Sequence, residues 1–356
     1  MEKSIENLVR FNIRSLIPYS SARSEFKQKE GVFLDANENP YGQYNRYPDP
    51  FQVILKEKLA EVKNVQPQQI FLTNGSDGIV DMAYRVFCEP GKDKALTFPP
   101  TFMMYTVASH LNNVELINIP LDEEFQINRP LLEKHIDDEN LKIIFLCSPN
   151  NPTGNHLKRE DINFILDNFK GITVIDEAYI DFNERISYSQ KLDKYPRLIV
   201  LQTLSKSWAL AGARIGMALM NEKLVHYFNK VKTPYNISSI DQEIALEALS
   251  DVKTFQERMI TILSEKNRIK ESLKTSPLIK KIYPSDTNFL LVEVEDAENF
   301  YQQLIQHNII VRNQHNNIKN TLRITIGKPE ENDKLLEALH EINLKQTGSQ
   351  QIQEEV

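Results

Sequence analysis

The sequence is poor in cysteine and contains no long apolar run. Cys88 and Cys147 are the only cysteines among 356 residues, and their spacing indicates neither a disulfide framework nor a zinc site. No stretch approaches the roughly 18 consecutive apolar residues of a membrane helix, and the first residues lack the basic and then apolar order of a signal peptide. We therefore expect a cytoplasmic protein without a metal site, neither exported nor inserted into a membrane.

The sequence also lacks an excess of positive charge. It has 42 basic and 49 acidic residues, which gives a formal net charge of -7. A nucleic-acid-binding protein would carry a basic surface, so we expect neither DNA nor RNA as a partner. With 41% hydrophobic residues, a chain of this length can bury a large core, and we expect a large domain joined to a smaller one.

What the sequence does contain is an alternation of short apolar runs and helical stretches from residue 70 onward. Such alternation is typical of parallel strands joined by crossover helices, hence of an α/β fold with a doubly wound, mostly parallel sheet. Ligands bind these sheets at the carboxyl ends of the strands. The predicted strands of this sheet are 70–73, 94–98, 115–119, 142–147, 173–176 and 198–202.

A single lysine occupies the polar loop that follows the strand at 198–202. Lys206 lies between Ser205 and Ser207, and Arg214 follows eight residues later. A lysine amine can form a Schiff base with a carbonyl, as in enzymes that use pyridoxal 5′-phosphate (PLP), and Ser205 and Arg214 have the donors that a phosphate needs. Taken alone, a lysine between two serines is more often a solvated surface residue, so its functional interpretation depends on partners from other loops.

Two further loops offer partners for an anion and for a flat ring. Residues 73–78, Thr-Asn-Gly-Ser-Asp-Gly, join a strand to a helix whose first turn supplies backbone amides and the positive end of a dipole. Ser76 and the backbone N–H of Asp77 are candidate phosphate ligands, although residues of this kind at this spacing are more often only helix caps. Phe102 is the first candidate for stacking on a pyridine ring and Tyr105 the second, with core packing as the alternative for both.

Two more loops carry residues that suit a pyridine ring. Asp176 closes an apolar strand, where its carboxylate could pair with a pyridinium N–H and keep the ring protonated as an electron sink. Tyr179, three residues later, could hydrogen-bond the 3-oxygen of that ring. Asn151 lies in the loop 148–154, Ser-Pro-Asn-Asn-Pro-Thr-Gly, whose prolines fix its course, and its amide could reach the same oxygen. Each residue has a structural alternative, but together they supply every part of a PLP site.

These motifs resemble those of a known family. The sequence is similar to fold-type I PLP-dependent aminotransferases of the class II group, and most closely to the histidinol-phosphate aminotransferases. The resemblance rests on the lysine signature at 203–212, on Asn-Pro-Thr-Gly at 151–154 and on Asp-Glu-Ala-Tyr at 176–179. It extends from Pro18 to about Gly327. It implies a fold-type I PLP-dependent transferase with a large doubly wound domain and a smaller α+β domain.

The resemblance also implies a role for each cofactor residue. Lys206 would carry PLP and later act as the general base, and Asp176 would pair with the ring nitrogen. Tyr47, in Asn-Arg-Tyr-Pro at 45–48, resembles the tyrosine that reaches the cofactor phosphate of the neighbouring subunit, so the family implies a homodimer with shared active sites. The remaining cofactor contacts would come from Ser76, Asp77, Phe102, Asn151, Tyr179, Ser205 and Arg214.

The substrate assignment rests on fewer residues. Arg312 and Arg323 would bind the phosphate of histidinol phosphate, since two arginines suit a phosphate monoester. Tyr19 and Asn39 would lie near its imidazole ring, and glutamate and 2-oxoglutarate would be the other amino donor and acceptor. The motifs that resemble histidinol-phosphate aminotransferases in this respect are 18–23, 34–40, 311–314 and 322–327.

Other functions remain open at this point. The nearest alternative is an aromatic-amino-acid aminotransferase of the same subfamily, which shares the scaffold and the arginine pair. A threonine-phosphate decarboxylase is more distant. A PLP-fold regulator would need a DNA-binding domain, and no basic module of that kind is present.

The chain divides into four expected parts. A short amphipathic helix is predicted at 5–16, and two strands of the smaller domain are predicted at 289–293 and 322–326. The last residues are polar, and we expect them to be disordered. The parts are an arm at 1–29, a large PLP-binding domain at 30–270, a small C-terminal domain at 271–345 and a polar tail at 346–356.

Overall fold

The computed structural model describes residues 4–18 and 31–354. In these ranges the chain forms two β-sheets of different size, each covered by helices. No helix in the described ranges combines the length and the apolar character that crossing a bilayer requires.

The amino-terminal segment contains two short helices, α1 (Ile5–Leu8) and α2 (Phe11–Ser15). The sequence pattern predicts a single helix over 5–16, and that prediction is wrong. The backbone leaves the helical region at Val9 and Arg10, and Val9 is buried in the core against the larger sheet. The apolar residues therefore reach the core through a kinked segment and not along one helical face.

The larger sheet contains seven strands in the described ranges, namely β1 (Ile70–Asn74), β2 (Lys94–Thr97), β3 (Glu115–Asn118), β4 (Leu141–Cys147), β5 (Ile172–Asp176), β6 (Leu198–Thr203) and β7 (Ile215–Met220). Their order across the sheet is β1-β7-β6-β5-β4-β2-β3. β2 to β6 pair in parallel, and β7 is antiparallel to both of its neighbours. β1 to β6 therefore run in one direction, and their carboxyl ends lie at one edge of the sheet.

Helices cover both faces of this sheet, as a doubly wound fold requires. Neighbouring residues of one strand enter different cores, since Val174 packs in one apolar cluster and Ile175 in the other. Val200 and Leu201 on β6 alternate in the same way. The helices of this part are α3 (Val53–Lys63), α4 (Asp77–Phe87), α5 (Met104–Leu111), α6 (Arg129–Leu132), α7 (Arg159–Asn168), α8 (Glu222–Val231) and α9 (Ser239–Ser250).

The smaller sheet is antiparallel and has its own core. Its strands lie in the order β10-β11-β9-β8, where β8 is Ile279–Ile282, β9 Phe289–Val294, β10 Arg312–Asn313 and β11 Thr321–Thr325. Its core packs β9 and β11 against three helices. These helices are α10 (Val252–Lys274), α11 (Ala297–Gln306) and α12 (Pro329–Glu354).

Two of these helices bear on the expected division of the chain. α10 reaches both sheets, because Phe255 packs against the core of the larger sheet and Ile269 lies in the core of the smaller one. The backbone of α12 remains helical as far as Glu354, where we expected a disordered tail. Its inner turns are anchored by Leu335 and Leu339, and the helix propagates from them, since each added residue costs less than nucleation.

Candidate active site

A cavity of about 270 Å³ lies at the carboxyl edge of the larger sheet. It collects side chains from five loops, each of which follows a strand, as the fold class predicts for a ligand site. The sequence-predicted residues that line it are Ser76, Asp77, Phe102, Asn151, Asp176, Tyr179, Ser205, Lys206 and Arg214.

Lys206 lies on a loop whose course is fixed by hydrogen bonds. The backbone N–H of Leu204 donates to the carbonyl of Ile215, and Ser207 Oγ donates to Asp181 Oδ2 at 2.6 Å. Nζ of Lys206 lies 5.7 Å from the ring centroid of Tyr179. Burial against the cavity wall lowers the pKa of the Lys206 amine, and the charge of Arg323 lowers it further. Both effects increase the fraction of the amine that is neutral and nucleophilic at a given pH.

Asp176 occupies the end of β5 and is buried. The backbone N–H of Ala178 donates to its Oδ1 at 3.0 Å, and the hydroxyl of Tyr105 donates to its Oδ2 at 2.9 Å. Burial raises the pKa of this carboxyl, while the two hydrogen bonds and the charge of Lys206 lower it. Both donors hold the carboxylate in place at the floor of the cavity.

The two candidate stacking rings have different surroundings. Phe102 lines the cavity. Tyr105 is fully buried and is stacked on Phe145, with ring centroids 4.8 Å apart. Only Phe102 of the two is thus available to a ring in the cavity, and Tyr105 belongs to the support beneath Asp176. The sequence offers no sign of this contact, because the two residues lie 71 positions apart.

The end of the cavity near α4 is built for an anion. Ser76 occupies the N-cap position of α4, yet its side chain makes no capping hydrogen bond. Arg214 Nη2 lies 3.4 Å from Asp77 Oδ2. A Cβ on Gly75 would lie 2.4 Å from Arg214 Nη2, and one on Gly216 would lie 2.2 Å from the backbone nitrogen of Ser76. Because both glycines lack a side chain, Arg214, Gly216 and the turn at Gly75 and Ser76 can approach one another closely. Together with the N-terminus of α4 they form a concave site for an oxyanion, which we call the anion cup.

An arginine from the smaller sheet contacts the cavity wall at Asn151. Arg323 on β11 donates through Nη1 to Asn151 Oδ1, and its Cζ lies 5.2 Å from the ring centroid of Phe289. Its Nε is buried without an acceptor among the described residues. Arg312 stands directly opposite Arg323 in the β10–β11 register. Arg312 and Arg323 are thus cross-strand neighbours on the smaller sheet, although neither is among the residues that line the cavity.

Two other predicted residues that the structure describes, Tyr47 and Asn39, do not line this cavity. Tyr47 is half-exposed and is stacked on Tyr235, with centroids 4.4 Å apart and an interplanar angle of 12°. Asn39 is exposed and accepts a hydrogen bond from the backbone N–H of Tyr41. Tyr19 lies outside the described residues.

The donor set of the cavity fits PLP. An amine stands at one wall, and a buried carboxylate that accepts two hydrogen bonds still has lone pairs for a ring N–H. Tyr179 remains a phenol, because burial raises its pKa. The helix N-terminus and Arg214 supply donors for a phosphate ester. An aldehyde, a pyridine nitrogen, a phenolic oxygen and a phosphate each find a suitable partner.

Comparisons with known proteins agree with this geometry. The family model described as aminotransferase class I and II matches residues 19–339. The chain is 49% identical to the histidinol-phosphate aminotransferase of Parabacteroides distasonis, covering 96% of this chain and 100% of that protein. It is 43% identical to that of Cytophaga hutchinsonii, covering 95% and 99%.

The structure of histidinol-phosphate aminotransferase from Sinorhizobium meliloti in complex with pyridoxal-5′-phosphate superposes with a TM-score of 0.77. The identity is 26%, and the match covers 84% of this chain and 83% of that one. These similarities span both sheets of the protein. The chain therefore belongs to the class I and II aminotransferases and, within them, to the PLP-dependent family of histidinol-phosphate aminotransferases.

Proposed function

We propose that this protein transfers an amino group reversibly between L-histidinol phosphate and 2-oxoglutarate, giving imidazole-acetol phosphate and glutamate, as a step of histidine biosynthesis. The observation that carries the proposal is the cavity that joins Lys206 and Asp176 with the anion cup at the α4 N-terminus, and whose residue Asn151 accepts a hydrogen bond from Arg323 of the smaller sheet. Similarity over nearly the whole chain to proteins named for this activity supports it.

We further propose how the cavity holds PLP. The phosphate would be bound by the α4 N-terminus with Ser76, Asp77 N–H, Ser205 and Arg214. The ring would lie against Phe102, with its nitrogen at Asp176 and its 3-oxygen between Tyr179 and Asn151. When bound, PLP withdraws electrons from the carbon that bears the transferred amino group.

The residues of the cavity then divide the proton chemistry. Lys206, as the neutral amine that its surroundings favour, takes the proton from the α-carbon of the amino substrate and returns it in the reverse direction. The two hydrogen bonds to Asp176 favour its ionised form, in which the carboxylate would hold a proton on the ring nitrogen of the bound cofactor. Tyr179 donates a hydrogen bond from a phenol that stays protonated at neutral pH.

We propose that Arg312 and Arg323 form a second anion site and that this site determines specificity. Arg323 and Arg312 would bind the phosphate of histidinol phosphate through charge-assisted, bidentate contacts. The buried Nε of Arg323, which lacks an acceptor among the described residues, offers one of these donors. Tyr19 and Asn39 stay predictions for the imidazole end.

We also propose a cytoplasmic homodimer. Tyr47 does not face the cavity of its own chain, and its half-exposed ring is in a position to reach a neighbour. Nearby apolar side chains are largely exposed, with Val32 at 90%, Leu34 at 89% and Ile54 at 67%. A second copy of the chain that covers them would remove this apolar surface from water.

A half-reaction tests the proposed substrate. Purified protein loaded with PLP is mixed with histidinol phosphate or with phenylalanine, without any keto acid, and conversion of the cofactor to its pyridoxamine form is followed by absorbance. We expect conversion by histidinol phosphate at much lower concentration. Preference for phenylalanine would move the function to an aromatic-amino-acid aminotransferase, and conversion by neither would contradict both assignments.

A further inference from the structure

Tyr105 is the feature that the proposed mechanism leaves unexplained. Its ring is fully buried between α5 and the sheet and is stacked on Phe145, so it takes no part in lining the cavity. Its hydroxyl nevertheless ends at the cavity floor, 2.9 Å from Asp176 Oδ2. The backbone carbonyl of Tyr105 in turn accepts a hydrogen bond of 2.9 Å from the hydroxyl of Tyr84.

We propose that Tyr105 is a positioning residue, whose hydroxyl fixes and ionises the carboxylate of Asp176 so that its free lone pairs point at the ring nitrogen of PLP. The inference rests on the proposed cofactor site. A carboxylate has two oxygens with about two acceptor directions each. Tyr105 and the Ala178 N–H occupy one direction on each oxygen, which sets the carboxylate plane and leaves the other directions free for the cavity.

The two donors differ in what they contribute. The Ala178 N–H comes from the backbone two residues after Asp176, so the chain's own turn supplies it. The Tyr105 hydroxyl comes from α5, a separate element, and ties the carboxylate to the stacked pair of Tyr105 and Phe145. Burial raises the pKa of Tyr105, so it stays a donor at all ordinary pH values. This second contact therefore restrains the rotation of the Asp176 side chain from outside its own turn.

The charge state of Asp176 depends on the groups that face it. Burial favours the neutral acid, and Asp77 on α4 acts in the same direction. Lys206 opposes them with positive charge. Tyr179 and Cys147 also lie close, and burial raises the pKa of both, so they bring no negative charge at neutral pH. Within the protein, Lys206 and the two hydrogen bonds, of which Tyr105 gives one, therefore favour the ionised state and oppose the effect of burial.

The test uses a pair of matched variants. Tyr105→Phe removes the hydroxyl and keeps the ring on Phe145. Tyr84→Phe removes a hydroxyl that is equally buried and one contact further from Asp176, and it serves as the control. For each protein, apoenzyme is titrated in the absence of substrate with PLP and with 1-deazapyridoxal 5′-phosphate, in which carbon replaces the ring nitrogen.

We expect Tyr105→Phe to raise the dissociation constant of PLP about tenfold, the size expected from one hydrogen bond to a charged group. The variant should lose little affinity for the deaza compound, because that ligand has no nitrogen for Asp176 to hold. Tyr84→Phe should bind both compounds as the wild type does. In turnover, Tyr105→Phe should lower kcat more than it changes KM, and the loss should grow as the pH falls and Asp176 becomes protonated.

A double-variant cycle separates positioning from a general loss of structure. In the Asp176→Asn background, adding Tyr105→Phe should change PLP affinity little, since the contact has already lost its charged acceptor. Equal losses of affinity for PLP and for the deaza compound, or equal losses in both backgrounds, would overturn the proposal. Because these titrations contain no substrate, a failure of the histidinol phosphate assignment would leave their outcome unchanged.

Discussion

Burial acts on the two central ionisable residues of the cavity in opposite directions. It lowers the pKa of Lys206 and raises that of Asp176. For the amine this is productive, because only its neutral form can take a proton or attack a carbonyl. For the carboxyl, burial favours the neutral form, which cannot pair with a pyridinium N–H, so hydrogen bonds have to favour the ionised form. Burial alone therefore shifts Lys206 toward its reactive form, whereas Asp176 depends on specific hydrogen-bond donors.

A first prediction concerns the charge that acts on Lys206. Arg323 is the largest charge effect on its pKa and lowers it. We expect Arg323→Gln to raise the pKa of the Lys206 amine. The neutral form is then present only at higher pH, so the rate at which apoenzyme takes up PLP should fall near pH 8 and recover as the pH increases. Absorbance of the bound cofactor, followed after PLP is added at a series of pH values, measures this.

Arg312→Gln is the matched control. Arg312 lies opposite Arg323 on β10, but it is exposed and is not among the larger charge effects on the pKa of Lys206. The rate profile of this variant should coincide with that of the wild type. A common shift in both variants would mean that net charge, and not the position of Arg323, determines the pKa of the amine.

A second prediction concerns Lys206 itself. Lys206→Ala should abolish transamination, since no other lysine among the described residues lines the cavity and could replace it as base. Borohydride reduction followed by peptide mass analysis should find PLP attached to Lys206 in the wild type and to no residue in the variant. Lys223→Ala, which removes an exposed lysine on α8, is the control and should retain activity and labelling. Turnover at the wild-type rate in Lys206→Ala would refute the assignment.

Much of the candidate site can be predicted residue by residue from the sequence, and the contacts that cannot be predicted share one cause. Residues that follow predicted strands, such as Asp176 and Asn151, line the cavity because parallel strands end at one edge. The support of Asp176 by Tyr105 and the contact of Arg323 with Asn151 join residues that are far apart in sequence. Such contacts depend on how elements pack, and no local pattern encodes them.

Among the elements, β7 is the one strand of the larger sheet that the pattern fails to predict. Ile215–Met220 directly follows the lysine loop, with no helix between them, and pairs antiparallel with β6. The alternation of strands and helices predicts only parallel strands that each follow a helix, so it misses this one. It inserts between β1 and β6. In this position it places Gly216 against the turn that leads into α4, so an unpredicted strand forms the back wall of the anion cup.

A third prediction follows from that contact. A Cβ on Gly216 would lie 2.2 Å from Ser76 N and 2.3 Å from Gly75 C, both backbone atoms that cannot rotate away. Gly216→Ala should therefore destabilise the protein by about 1–3 kcal/mol, the usual effect of overpacking, and should weaken PLP binding because the cup opens. Denaturant unfolding and PLP titration measure the two effects.

Gly212→Ala provides the comparison within the same segment. No atom lies within 4 Å of a Cβ at Gly212, so the expected change in the free energy of unfolding is within about 0.5 kcal/mol. PLP affinity should be unchanged. If both variants lost stability equally, the close approach of β7 to the α4 turn would not be the cause.

The whole molecule brings together groups that neither sheet has alone. The larger sheet supplies Lys206 and the anion cup, and the smaller sheet supplies Arg323 through β11. α10 packs on both and so fixes their separation. The sequence predicts two units and the motifs in each. How the smaller sheet lies relative to the cavity depends on packing along α10. The role of Arg312 and Arg323 can therefore be predicted from family resemblance but not from their spacing in the sequence.

A fourth prediction addresses the proposed sharing of sites between two chains. If Tyr47 serves the neighbouring cavity, Tyr47→Phe and Lys206→Ala damage different parts of one shared site. A heterodimer of these two variants, co-expressed with different tags and isolated, then contains one site with both residues intact. We expect it to regain about half of the wild-type activity at a PLP concentration too low to load the Tyr47→Phe homodimer, because one of two equivalent sites is complete.

The pair Lys206→Ala and Asp176→Asn provides the control, because both residues line the cavity of a single chain. Their heterodimer has one cavity without the amine and one without the carboxylate, so it should stay inactive at every PLP concentration. If the Tyr47→Phe and Lys206→Ala heterodimer needed as much PLP as the Tyr47→Phe homodimer, Tyr47 would act within its own chain. Its stacking on Tyr235 would then be structural, and the exposed apolar residues near it would need another explanation.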